Sequence, residues 1–249
     1  DEAGNLRFVE KVYSLDQNLT PNDGTQTTEL NQPRLVGGIA PADKVGVSNQ
    51  NGEARFIDHP DISFATNEAW SITIALNWNG ESPINSTLLF GDKNANTGYN
   101  VCYLITSATY VIRLQNSSTT PYQTILSYNG SNYLLGKNTI LTFSSDSSGN
   151  IYLYINGNEV ASNSGQNTAI KINRLLNGWN GTKYATKGNI QYYRIQSGAM
   201  TPEQVAAEHT LLRGIYPEIA STQIGELDLS VRNFEAVATP EGNVIANVT

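Results

Sequence analysis

A chain of 249 residues with formal net charge -7 and a pI near 4.8 can form one large β domain or two small ones, burying roughly three quarters of its unfolded surface. The acidic balance argues against nucleic acid, whose phosphates demand clustered Lys and Arg. One Cys and two His leave almost no room for a disulfide framework, a Cys-His dyad or a three-His zinc site.

Taken in chain order, residues 1 to 50 read as an extended N-terminal arm with one strand signal at Leu6 to Tyr13. A polar stretch punctuated by Pro21, Pro33 and Pro41 follows. Such a stretch packs little core alone and is expected to lie on the main domain or on a neighbouring subunit. From Glu53 onward, strand signals recur: Ala54 to Asp58, Ala69 to Asn79, Ser86 to Gly91, Tyr99 to Thr106, Tyr110 to Gln115 and Gln123 to Tyr128. They continue at Thr139 to Ser144, Ile151 to Ile155, Glu159 to Ser162 and Asn189 to Gln196. Many short strands separated by turn signals predict a sandwich or barrel.

The most explicit element is a hairpin. Ile151, Leu153 and Ile155 fall at period two, and Asn156-Gly157 supplies the two positive-φ positions of a type I′ turn. One helix is also specified. Thr201 is its N-cap, Pro202 its first residue and Gln204 the partner in a capping box, with Val205, His209 and Leu212 on one face and Gly214 and Pro217 ending it. Beyond the helix, Ile219 to Thr249 returns to short strand patterns. The chain begins without Met, as expected of a processed product or an excised piece. No apolar run reaches the ~20 residues of a membrane helix.

Four segments resemble laminin-G-like domains of the concanavalin A-like lectin/glucanase group. These are Phe64 to Trp78, Leu88-Leu89-Phe90-Gly91, Thr139 to Gly157, and Gly188 to Ile195 followed by Met200 to Val205. The resemblance covers roughly residues 50 to 215 and implies an all-β, antiparallel β-sandwich (a concanavalin A-like jelly roll) with one short C-terminal helix. It divides the chain into the arm (1–50), a jelly-roll domain (51–216) and a C-terminal connecting segment (217–249), which is expected to be incomplete or to pair with another chain. Lys137 to Thr142 departs from the family by lacking an aromatic before the hairpin. The strings Gln32 to Pro41, Asn77 to Gly80, Ile224 to Leu227 and Val231 to Phe234 resemble lectin-like segments of bacteriophage fibre or appendage proteins.

Catalysis would need two carboxyls held close together. Ser71 to Asn77, Val101 to Ile105 and Ile151 to Ile155 carry none, and Glu226 and Asp228, spaced i, i+2, lie in the tail. The chain is therefore expected not to be an enzyme, polysaccharide cleavage being the disfavoured alternative. Trp179, Asn180 and Tyr184 form the carbohydrate-binding candidate, because an aromatic amid amides suits stacking and hydrogen bonding to a sugar. The competing reading folds Trp179 back as a lid on the sandwich edge. Asp92, Asn94 and Asn96 offer oxygens at alternate positions, as a calcium loop or as a polar hairpin loop with Asx turns. His59, between Asp58 and Asp61, is expected in a loop with its pKa nudged upward. Trp70 and Trp78 are read as core anchors, Cys102 as an ordinary strand residue, and Asp146 to Gly149 as a turn.

These readings together imply recognition by rim loops at 92–98, 116–122, 129–136 and 177–187. The expected partners are a surface glycan or other virion or cell-surface subunits, with a homotrimer as one assembly. The expected location is a virion, or the extracellular space or cell surface. A purely structural appendage is the alternative.

Overall fold

A computed structural model describes residues 56–77, 87–93, 100–106, 110–116, 123–130, 138–165, 169–176 and 188–215, together with the backbone of six further short strands. In chain order the strands are β1 (Lys11–Val12), β2 (Gly24–Thr25), β3 (Arg34–Val36), β4 (Gly46–Asn49), β5 (Ile57–Phe64) and β6 (Trp70–Asn77). They continue with β7 (Thr87–Gly91), β8 (Asn100–Thr106), β9 (Tyr110–Asn116), β10 (Gln123–Asn129), β11 (Asn138–Ser145) and β12 (Ile151–Ile155). The remainder are β13 (Asn158–Asn163), β14 (Ile170–Leu175), β15 (Gly188–Ser197), the helix α1 (Pro202–Ile215), β16 (Ala236–Ala238) and β17 (Val244–Ala246).

Two antiparallel sheets carry the body. One has eight strands in the order β1-β2-β5-β14-β7-β8-β9-β10, and the other has seven in the order β13-β12-β11-β6-β15-β4-β3. Their facing sides share a single core. Ile72, Ile74, Leu76, Leu141, Phe143 and Leu153 of the seven-stranded sheet meet Leu89, Phe90, Ile112, Leu114, Ile125 and Ile172 of the other. Phe90 and Phe143 touch edge to face at 6.1 Å, and Trp70 stacks on Phe64 at 6.4 Å. Each such buried side chain contributes about 1.5–3 kcal/mol. At one flank Asn163 donates to the Ile125 carbonyl (2.6 Å), tying β13 to β10. The short strands from residues 11 to 49 occupy the opposite edges of both sheets.

The strand signals survive with two corrections. Pro60 suggests a break after Asp58, yet β5 continues to Phe64. Pro60 has no N–H to give a ladder, and a bulge absorbs it: Asp58 pairs with Arg174 and Ile62 with Ile172, so three residues of β5 face Asn173 alone. The same bulge breaks the period-two pattern of β14, the one long strand absent from the sequence expectation. Cys102 lies on β8 opposite Leu114. Trp70 is a core anchor as expected, while Trp78 lies outside the described residues.

The outer face of the seven-stranded sheet is polar and buried, because α1 covers it. Register pairs Ser71 with Ser144 and Thr73 with Thr142. Both serine hydroxyls accept from the Met200 N–H (2.9 Å each), and Ser71 donates to the Gly198 carbonyl at 2.8 Å. Thr73 donates to Glu208 (2.7 Å), whose other oxygen takes Arg194 (2.7 Å) and the Tyr192 hydroxyl (3.2 Å). The helix begins as expected: Thr201 N–H donates to Gln204 Oε1 (2.9 Å), and Gln204 N–H to Thr201 Oγ1 (3.3 Å).

The Asn-Gly turn closes the far end of this face. Asn156 and Gly157 have φ of 51° and 83°, and Asn156 exchanges hydrogen bonds with the Ile140 backbone (2.9 Å each). His209 of α1 rests on Gly157, so close that an added Cβ there would sit 3.1 Å from Nδ1. Two needs therefore meet at Gly157: a left-handed backbone and a bare Cα.

Gly157→Ala is expected to cost about 3 kcal/mol in urea unfolding. Gly165→Ala, with φ of 68° and open space around it, should cost only the about 1–2 kcal/mol of left-handed strain. Equal losses would remove the His209 contact from the account. His209 itself is 9% exposed, and burial, aided by Arg213, lowers its pKa to about 4. A depressed histidine pKa means stability that is full above 6.5 and declines as pH falls toward 4, by about 3 kcal/mol in total. His209→Gln should flatten that part of the pH-stability curve.

Candidate functional site

β6 runs from Trp70 at one end of the sandwich to Asn77 at the other, and the register, with the Phe64–Trp70 stack linking the two sheets, gives β7, β9, β10 and β14 a direction toward one or the other. β7 points toward the Trp70 end as it reaches Gly91, and so does β9 as it reaches Asn116. β14 points toward the Asn77 end as it reaches Leu175, β10 does the same at Asn129, and Asn138 and Asn189 both pair with Asn77. The strands that deliver 92–98 and 116–122 thus point opposite to those that deliver 129–136 and 177–187. Asn94, Asn96, Trp179, Asn180 and Tyr184 lie outside the described residues.

Asp92 is described, and it is fully buried. Asn173 holds it in place. The Asn173 amide, itself buried, donates to Asp92 Oδ1 and to Asp61 Oδ1 (2.9 Å each) and accepts from the Lys93 N–H (2.8 Å). Around this junction Arg174 grips Asp58 through Nε and a terminal nitrogen (2.6 and 3.1 Å), with its guanidinium 3.7 Å from the Phe56 ring centre. Lys93 stands 3.6 Å from Asp58, and Lys171 2.7 Å from Asp61. Asp58, Asp61 and Asp92 are thus interleaved with Lys93, Lys171 and Arg174. An isolated carboxylate could not be buried so deeply.

The Lys171 hydrogen bond, then that from Asn173, holds the Asp61 pKa below the usual carboxylate range. For Asp146, burial would raise the pKa, but it is outweighed by hydrogen bonds from Asn150, Ser148 and Gly149, which build the expected turn. A glycosidase acid requires the reverse, a carboxyl kept protonated near neutral pH. His59 reverses its expectation. It sits on β5, not in a loop, with its ring 6.2 Å from Tyr193, and burial outweighs the Pro60 hydrogen bond and the nearby acids, so its pKa falls. Sequence reasoning passed over Asn173, Arg174 and Lys171, since their strand was unread; the alternation of Ile170 and Ile172 was the available signal.

Asn173→Leu removes the donor shared by Asp61 and Asp92. Unfolding in urea should show a loss of about 3 kcal/mol; a loss under about 1 kcal/mol would mean that the ion pairs alone hold the bulge.

Residues 51–206 match the family model of the Concanavalin A-like lectin/glucanases superfamily. No curated protein sequence matches the chain. Among solved structures, it is similar to domain 4 of AbnA, a GH43 extracellular arabinanase from Geobacillus stearothermophilus, in complex with arabinotriose: TM-score 0.54 and 22% identity, over 81% of this chain and 98% of that one. It is also similar to the binding domain of botulinum neurotoxin serotype D/C (TM-score 0.53, 15% identity, 82% of this chain and 52% of that one). The receptor binding domain of botulinum neurotoxin type G gives a TM-score of 0.50 at 11% identity, over 82% of this chain and 51% of that one. The chain spans about half the length of these toxin domains. At such identities the likeness concerns the fold. A family match over more than half of the sequence, with two facing antiparallel sheets and, among the described residues, one capped helix, makes this chain a member of the concanavalin A-like lectin/glucanase superfamily.

Proposed function

We propose that this chain is a non-enzymatic recognition module that binds carbohydrate at the Asn77 end of the sandwich, on a virion appendage or a cell surface. The observation that carries the reading is the coverage of the fold. α1 and its polar seat occupy the outer face of one sheet, so on that sheet recognition is left to the strand ends and their connections. The strands that bracket Trp179, Asn180 and Tyr184 in sequence, β14 and β15, end and begin toward Asn77, and these three residues would supply a stacking ring with amide and hydroxyl partners. Asp92 already accepts a hydrogen bond from Asn173, and binding at the Asn77 end does not depend on calcium at Asp92, Asn94 and Asn96. The arabinotriose held by the arabinanase domain makes neutral oligosaccharides the first ligands to try. Hydrolysis is disfavoured because the long strands Trp70–Asn77 and Ile151–Ile155 carry no carboxylate pair.

A second reading, a structural appendage, has its own support. The strands of residues 11–49 form the outermost members of both sheets on one flank, where short edge strands can accept pairing from a neighbouring subunit. A glycan array should give a carbohydrate signal that Trp179→Ala reduces by about tenfold or more. A blank array, with a native oligomer that dissociates on deletion of residues 1–50, would favour the structural reading.

A further inference from the structure

The outer face of the seven-stranded sheet ends in a row of asparagines. Register places Asn138 opposite Asn77 and Asn77 opposite Asn189. These three residues come from three separate stretches of sequence and stand at one level of the sheet. Adjacent strands lie about 4.8 Å apart, a spacing comparable to the repeat of an extended oligosaccharide.

We propose that this row, centred on Asn77 and Asn138, is the floor of a site for a neutral oligosaccharide; the proposal rests on the carbohydrate reading above and assigns that reading its described residues. Asn77 Nδ2 donates to Asn138 Oδ1. That bond fixes both amides side by side, and among the described residues neither makes another hydrogen bond through its side chain. Asn77 Oδ1 remains as an acceptor and Asn138 Nδ2 as a donor, on side chains that are partly exposed. A sugar hydroxyl both donates and accepts, so two neighbouring hydroxyls can answer these two groups at once.

Two contrasts support a ligand over a merely structural row. Deeper on the same face, cross-strand pairs are made by Ser71 with Ser144 and Thr73 with Thr142. Those hydroxyls meet the needs of pairing and are further engaged by the helix and its lead-in. The amides at the end keep capacity that pairing does not use. The next level inward is apolar, with Ala75, Ile140, Tyr192 and Leu212 packed together, so the amides border a dry surface where hydrogen bonds are worth more. Charge supplies the specificity. Asp58, Asp61, Lys93, Lys171 and Arg174 crowd β5, β14 and the end of β7, whereas the row contains amides alone and favours an uncharged ligand.

The test uses the full chain and a printed array of neutral oligosaccharides that includes arabinotriose, followed by calorimetry on the strongest binder. Asn77→Ala combined with Asn138→Ala should weaken binding by about tenfold or more while leaving the thermal midpoint near that of the wild type. If the double variant folds poorly, Asn138→Asp, which keeps the shape and removes the donor, should give a comparable loss. The Asn138 side-chain amide resonances should also move during titration. Undiminished binding by these variants, with binding abolished by Trp179→Ala, would overturn the asparagine site and leave the carbohydrate reading intact. A wild-type chain silent across the array would overturn both.

Discussion

The docking of α1 on a buried hydroxyl ladder governs how the rest of this molecule can be used. Ser71, Ser144, Thr73 and Thr142 lie on a face that would ordinarily meet water. Once they are covered, each needs a partner, because an unsatisfied buried hydroxyl costs more than a hydrogen bond returns. Met200 N–H, the Gly198 carbonyl and Glu208 supply those partners. Glu208 in turn requires Arg194. The helix is thus fixed in position and direction by polar matching, while Leu212 and Val205 add apolar contact. A sheet sealed in this way cannot offer its broad outer face to a ligand.

The two sheets then carry two chemistries. At the β5 bulge of the eight-stranded sheet, acids and bases alternate and Asn173 knits them together. Such a network is self-contained: every carboxylate faces a cation or an amide donor, and the pKa of Asp61 moves accordingly. It holds β5, β14 and the first residues after β7 in register and has little need of a ligand. At the end of β6 in the seven-stranded sheet the paired side chains are uncharged amides, and the pairing of Asn77 with Asn138 leaves hydrogen-bonding capacity over. The difference comes from the register, since no stretch of sequence contains more than a fragment of either cluster.

That distinction explains what the sequence made legible. Period-two patterns such as Ile151, Leu153 and Ile155, the Asn156-Gly157 turn and the Thr201 capping box each act within a few residues, so local chemistry identifies them. Two sandwich elements were not legible for one shared reason. Pro60 falls inside β5 and Asn173-Arg174 disrupts alternation, yet both are accommodated because β5 bulges there, three of its residues facing Asn173. A bulge is a property of a pair of strands. His59 was misjudged on the same ground: its acidic neighbours in sequence argue for a raised pKa, but the fold places its ring beside Tyr193, where desolvation prevails. The asparagine row was invisible because its members become neighbours only after β11, β6 and β15 align.

Asparagine does two kinds of work here, and separating them matters for reading function from such folds. In the turn, Asn156 adopts a positive φ and clamps Ile140, so its side-chain oxygen is committed and substitution there would be felt as stability. At the strand ends, Asn77 and Asn138 adopt ordinary extended backbone, where Ser or Thr would pair as well. Nothing in the backbone requires an amide at those two positions. What distinguishes an amide from a hydroxyl is that it can satisfy its cross-strand neighbour and still present a donor and an acceptor outward. Residues whose chemistry exceeds what the fold asks of them are where binding is to be sought, and on this face the excess is concentrated at the end from which β14 and β15 emit and receive the Trp179 segment.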